Sequence, residues 1–172
     1  MNSSMEQKQA PSEYQANLEM LMQTPVFSRL SLEPLKLLAY FCKREVFKAG
    51  EIIFRQEEPD ANAYIIIEGK ARLVRESTEE ETVGEFGEND LIGGMTLFYE
   101  MKRLFTLKAE TKVSCLMLSR DRFQKTLEQF PEIAHKMFEA IVRNVYEWES
   151  RFVSEHGLKC AQCRGMLGVS LL

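Results

Sequence analysis

The chain has 172 residues, 45% of them apolar and 28% charged, with 9 Gly and 5 Pro. That is one domain's worth of ordinary globular composition, which excludes disordered, collagenous and low-complexity classes. Twenty-two basic against 26 acidic residues leave a net charge of −4, the wrong sign for a free-standing duplex-DNA binder.

Residues 1–11 are polar, end at Pro11 and read as a loose tail, with neither the basic n-region nor the apolar h-region of a secretory signal. From Ser12 a helix is expected, because Leu18, Leu21 and Met22 recur at helical spacing as far as Thr24-Pro25. A second helix follows Ser31 as N-cap, with Pro34 tolerated in its first turn and Leu35, Leu38 and Phe41 on one side. Beyond Phe41 the period changes. Short runs at Val46-Phe47, Ile52–Phe54, Ala63–Ile67, Ala71–Val74, Thr82–Phe86, Leu104–Ala109 and Val113–Leu118 alternate with Gly-, Pro- and Asp-bearing turns. Strands that short, without long helices between them, indicate an all-β sandwich or barrel. Gly93 to Glu100 interrupts them as a single helical segment, and Glu79-Glu80-Glu81 reads as a solvated hairpin tip.

From Asp121 the chain turns helical again, with a short piece over Arg122–Phe130 and, after Pro131, a long helix to about Val153. In the long helix Ala134, Phe138, Ile141, Val145, Trp148 and Phe152 step 4, 3, 4, 3, 4, the a/d spacing of a coiled-coil seam. Ile133, Met137, Ala140 and Val142 form a second apolar row beside it. Two apolar faces call for two neighbours, the helix's own barrel and a second subunit, so a homodimer is expected. The domain is expected over 12–153, with a dimerisation helix at 131–153 and a C-terminal tail at 154–172.

The longest purely apolar stretch in the body is Leu37–Cys42, far short of the roughly 18 to 20 residues that span a bilayer. With no export signal the expected compartment is the reducing cytoplasm. There Cys42 and Cys115, inside LLAYFC and VSCLML, read as small buried hydrophobes. His156, Cys160 and Cys163 supply metal-ligand types, but a closed zinc site needs four ligands and the chain has no second CxxC. They stand only as weak metal candidates. No nucleophile–base pair, Walker loop or carboxylate cluster suggests an enzyme.

The order helix, β-roll, long helix, with FKAGEIIFRQEE (47–58), YIIIEGKARLV (64–74), FGENDLIGG (86–94) and MKRLFTLKAETKVSCLMLSRDRFQKTLEQFP (101–131), resembles a cyclic-nucleotide-binding domain of the catabolite-activator and kinase-regulatory-subunit type. The resemblance covers roughly residues 20–153. It implies a mainly β fold, a jelly-roll-like β-roll flanked by N-terminal helices and a long C-terminal helix. It also implies a phosphate-binding cassette, whose pattern is close to F-G-E-L-A-L followed after a few positions by R-A-A-T. Here that cassette is Ile92-Gly93-Gly94-Met95-Thr96-Leu97, then Arg103-Leu104-Phe105-Thr106, which puts Arg103 on the phosphate arginine. Gly50 and Gly69 match the family's turn glycines, and Phe123 and Pro131 its hinge helix and dimer-helix start.

Three departures are visible. Gly94 replaces the glutamate that accepts the ribose hydroxyl, a loss worth about 1.5–3 kcal/mol or ten- to a hundred-fold in affinity. Leu104 replaces a small residue and is expected to crowd the phosphate seat. Trp148 and Glu149 stand where activator-type relatives place small hydroxyl residues, and Trp148 either stacks on a base or plugs the cavity. The candidate ligand contacts are therefore Gly93, Gly94, Met95, Thr96, Arg103, Leu104 and Trp148. The implied ligand is a cyclic nucleotide, cyclic AMP or cyclic GMP, held weakly or not at all.

The expected function is a non-enzymatic signalling module that works through an unidentified protein partner, without membrane contact. About 19 residues follow Val153, too few for the helix-turn-helix domain of transcription-factor relatives, so direct DNA binding is not expected. The rival readings are a truncated transcription regulator and a constitutive, ligand-free adaptor.

Overall fold

The computed structural model describes residues 12–76 and 80–156, without the side chains of 152, 155 and 156. The 1–11 tail, the Glu79 position, Cys160, Cys163 and the Phe152 and His156 side chains lie outside the described residues.

Among these residues, α1 (Glu13–Gln23) and α2 (Leu32–Phe41) precede eight strands, and α3 (Arg120–Gln129) and α4 (Ile133–His156) follow them. The strands are β1 (Lys43–Phe47), β2 (Ile52–Phe54), β3 (Asn62–Glu68), β4 (Ala71–Arg75), β5 (Glu81–Phe86), β6 (Leu91–Ile92), β7 (Thr106–Ala109) and β8 (Val113–Ser119). They form two antiparallel four-stranded sheets, ordered β1-β8-β3-β6 and β2-β7-β4-β5. This is the mainly β roll with flanking helices that the family resemblance implies.

The unbroken apolar run of β3 has a structural cause: both of its faces are covered. Ala63 and Ile65 point to the helices, beside Leu116 and Leu118 of β8, while Tyr64 and Ile66 point between the sheets, beside Val113 and Cys115. The first core also takes Leu21, Leu38, Phe123, Ile133, Met137 and Ile141 from the four helices. The second fills the roll with Phe54, Leu73, Val83 and Leu107. Asn17, buried in α1, ties three elements together: its amide donates to the Ala39 carbonyl at 3.4 Å and its oxygen accepts from Arg44 Nε of β1 at 2.7 Å. Cys42 and Cys115 are both buried, and burial pushes their thiols up to about 12.

Local chemistry sets the element ends. Ser12 and Gln15 close a capping box on α1, each side chain accepting from the other's backbone N–H. Ser31 caps α2 by backbone alone; the third helical position is Pro34, which has no N–H to give its hydroxyl. At the β3–β4 turn Gly69 has φ +96°, and a Cβ there would lie 2.2 Å from the Lys112 carbonyl oxygen, so no other residue fits.

β1 starts at Lys43, ahead of the expected Val46, α3 spans Arg120–Gln129 instead of Arg122–Phe130, and three further differences bear on the site and on α4. β6 is only two residues long, too short for alternation to register. β7 begins at Thr106 rather than Leu104, because the Arg103 N–H donates to Glu58 O and the Arg103 carbonyl accepts from the Glu57 N–H, holding that segment against the 57–58 turn. α4 runs to His156, three residues past the expected end. No helix among the described residues is long and apolar enough to cross a membrane.

Candidate ligand-binding site

The site is built where β6 ends. Gly93 takes the left-handed conformation (φ +78°) and caps a single 3₁₀ turn, Gly94–Leu97. Thr96, fully buried, donates its hydroxyl to Gly93 O at 2.7 Å and to Asn62 O at 3.1 Å, which fastens the turn to β3. A cavity of about 190 Å³ lies behind it, lined by Gly93, Gly94, Met95, Thr96, Arg103 and Leu104 from the cassette and by Ile141 and Val145 from α4.

Arg103 is 6% exposed and already has its counter-ion. Its Nε and Nη2 donate to Asp60 Oδ2 at 3.2 and 2.7 Å, and Nη2 also donates to the Asn62 carbonyl. The guanidinium carbon stands over the Phe54 ring, 4.1 Å from its centroid, a cation–π contact. Asp60 is fixed in turn by the backbone and side-chain amides of Asn62, at 3.0 and 2.7 Å. Burial, with Asp60 close by, raises the pKa of Tyr64, which stays a neutral hydroxyl. Nη1 of Arg103 lies against Gly93, 2.2 Å from where a Cβ would stand, so glycine is required there for spacing as well as for φ.

The second glycine is closed off by α4. A Cβ on Gly94 would meet Leu91 at 3.1 Å and Ile141 at 3.3 Å. Ile141, expected on an intermolecular seam, is therefore corrected to the core: it is 2% exposed and packs on the cassette of its own chain. Ala134, Val145 and Trp148 are part-buried, and among the described seam residues Phe138 alone is an exposed large apolar side chain, at 56%. The exposed apolar row is Phe138, Val142 and Tyr146. Leu104 is also corrected: at 71% exposure it stands at the rim and does not fill the phosphate seat. Trp148 does not line the cavity; its indole Nε1 lies 3.1 Å from the Cβ position of Gly84 in β5, where it packs on the core between the sheets.

Asp60, Asn62, Phe54 and Phe98 went unrecognised in the sequence. Asp60 was visible only as part of the Glu58-Pro59-Asp60 turn. Phe98, which follows the 3₁₀ turn, meets Phe123 of α3 edge-on at 5.2 Å and Phe138 of α4 at 6.0 Å, so one ring touches cassette, hinge and long helix.

Comparison with known proteins agrees with this architecture. The profile of the cyclic nucleotide-binding domain family matches residues 44–130, just over half of the chain. The cyclic AMP receptor protein of Thermus thermophilus is 27% identical over 126 residues, 72% of this chain and 58% of that protein. A lysophospholipase of Pyricularia oryzae is 32% identical over 114 residues, 63% of this chain but only 8% of that enzyme. The N-terminal domain of a transcriptional regulator from Streptomyces coelicolor superimposes with a TM-score of 0.67 at 28% identity, covering 77% of this chain and 94% of that domain. Cassette, roll and flanking helices thus coincide with one family, and the chain belongs to the cyclic nucleotide-binding domain family.

Proposed function

We propose that the chain is a cytoplasmic, non-enzymatic regulatory module whose affinity for cyclic AMP and cyclic GMP is weak or lost, and which signals through a protein partner. The observation that carries this reading is the pairing of Arg103 with Asp60 beside a Gly94 that offers no acceptor. An incoming phosphodiester finds two of the three guanidinium nitrogens already hydrogen-bonded, which leaves no paired donors for it, and its ribose meets a mostly apolar wall without an acceptor at Gly94. The fold supplies a route outward, since Phe98 links the cassette to α3 and α4. A ligand that shifts the 3₁₀ turn would bias the position of both helices, a two-state equilibrium that a partner can read.

The exposed row Phe138, Val142 and Tyr146 supports homodimerisation through α4. Likeness to the Streptomyces coelicolor regulator's N-terminal domain favours a second reading, in which the same module is the sensing part of a transcription regulator. Calorimetric titration with cyclic AMP, cyclic GMP and cyclic dinucleotides tests the primary reading. Dissociation constants above about 1 μM, or no heat, are expected. Tighter binding of any of them refutes the weakened-site reading.

A further inference from the structure

The cavity behind the cassette is small, and most of its wall is apolar. It is a half-open cleft of about 190 Å³ between Phe54, Leu73, Ile92, Met101, Phe105 and Val145, besides the cassette itself. An apolar cavity of about 150 Å³ holds one benzene ring, whereas drug-sized ligands occupy about 300–1,000 Å³. One ring with a few further atoms matches the space. Its limit is set by α4, because Ile141 Cγ1 and Cδ1 already lie within van der Waals reach of the Gly94 Cβ position, at 3.3 and 3.4 Å.

The wall has one buried cation, and its three nitrogens are not used alike. Nε and Nη2 of Arg103 are taken by Asp60 and the Asn62 carbonyl. Nη1 is turned to Gly93 at the cavity wall, where the missing Cβ leaves it room. One guanidinium nitrogen beside apolar walls can take one oxygen of a carboxylate through a charge-assisted hydrogen bond. Lys102, at the rim, is already paired with Glu57 at 3.7 Å, so Arg103 is the cation the acid would meet.

We propose that this pocket takes a single-ring, mainly apolar organic acid in place of a nucleotide, with its carboxylate on Arg103 Nη1 and its ring enclosed by Phe54, Phe105 and Ile141. The assignment rests on the weakened-nucleotide reading of the same site and names what fits instead. Asp60 keeps its bonds to the arginine, so the acid adds a contact without displacing the internal ion pair.

Phenylacetate is the probe, titrated into the full chain and followed by backbone amide NMR. Saturable shifts centred on Gly93, Gly94 and Ile141 are expected at millimolar concentrations or below. Benzyl alcohol, its neutral counterpart, should bind about ten-fold more weakly, and Arg103→Gln should weaken phenylacetate by a similar factor. Ile141→Val, which removes one methyl group from the wall, should favour 2-naphthoate relative to phenylacetate. If Arg103→Gln does not fold, the comparison with benzyl alcohol decides the carboxylate contact alone. No saturation by about 10 mM overturns the proposal, as do shifts centred elsewhere or equal affinity for acid and alcohol. A parallel titration with cyclic AMP separates the two levels: binding below about 1 μM removes the parent reading, while silence of both ligands removes only the organic-acid assignment.

Discussion

The two apolar faces of α4 are chemically alike and structurally opposite. Ile133, Met137 and Ile141 are at most 2% exposed and fill the helix-side core, whereas Phe138, Val142 and Tyr146 are 48–60% exposed. Each row advances by four residues, as a helix packed on one neighbour does. The 4, 3, 4, 3, 4 seam read from sequence zigzags between the two, taking Phe138 from the outer row and Ile141 from the inner. The lesson is that apolar spacing tells how many faces a helix has but not which neighbour each meets. The helix-side core fixes the inner face and, at Ile141, so does the cassette with glycine at position 94.

The largest way to break that contrast is a charge on the inner face. Ile141→Glu should cost about 3–5 kcal/mol, since it removes a fully packed side chain and buries a carboxylate against Gly94 and Leu91. Urea denaturation monitored by circular dichroism should register it as a lowered midpoint; a folded, wild-type-like variant would return Ile141 to the surface. Asp60→Ala should follow at about 2–4 kcal/mol, because Arg103 then stays buried with its charge uncompensated. An unchanged midpoint there would mean that the pair contributes nothing to the cassette.

Alkaline pH should produce the next effect. Cys42 and Cys115 titrate near 12 when folded, above the usual thiol value of about 8.5, so the unfolded chain loses these protons first. Stability is therefore unaffected below about pH 8 and falls by a few kcal/mol as the pH climbs toward 12. Replacing both thiols by alanine should flatten that slope, and an equally steep slope in the double variant would place the titration elsewhere. The smallest effect on folding belongs to the outer face. Val142→Ser with Tyr146→Ser should change monomer stability by less than about 1 kcal/mol. The same change should halve the mass seen by light scattering, from about twice 19.9 kDa to one chain. Wild-type protein already at 19.9 kDa in the tens of micromolar would leave the outer face without a second copy.

Much of the fold was legible because its signals are local. Runs such as Tyr64–Ile67, turn glycines and helix caps each act within a few residues, and the run marks a strand covered on both faces. β6 escaped, since two residues carry no period. The site was legible in part: spacing put Arg103 beside Gly93, and the structure brings them together. Its partner was hidden, because Asp60 and Arg103 are 43 positions apart and an aspartate after a proline reads first as a turn residue. Leu104 and Trp148 misled for the opposite reason. Their size suggested a filled pocket, yet the segment beside Arg103 turns Leu104 outward, and Trp148 settles on Gly84.

The claim on which everything else depends is that cyclic nucleotide is disfavoured by an Arg103 already paired with Asp60, by the absent acceptor at Gly94 and by the Ile141 side chain behind it. The most direct measurement is calorimetric titration of cyclic AMP into the Gly94→Glu/Ile141→Ala double variant beside wild type, both verified as folded by circular dichroism. Supplying the acceptor and the space for it should tighten binding at least about ten-fold, the lower end of what a charged hydrogen-bond acceptor contributes. A wild-type constant already below about 1 μM, or a folded double variant that binds no better than wild type, would contradict the account.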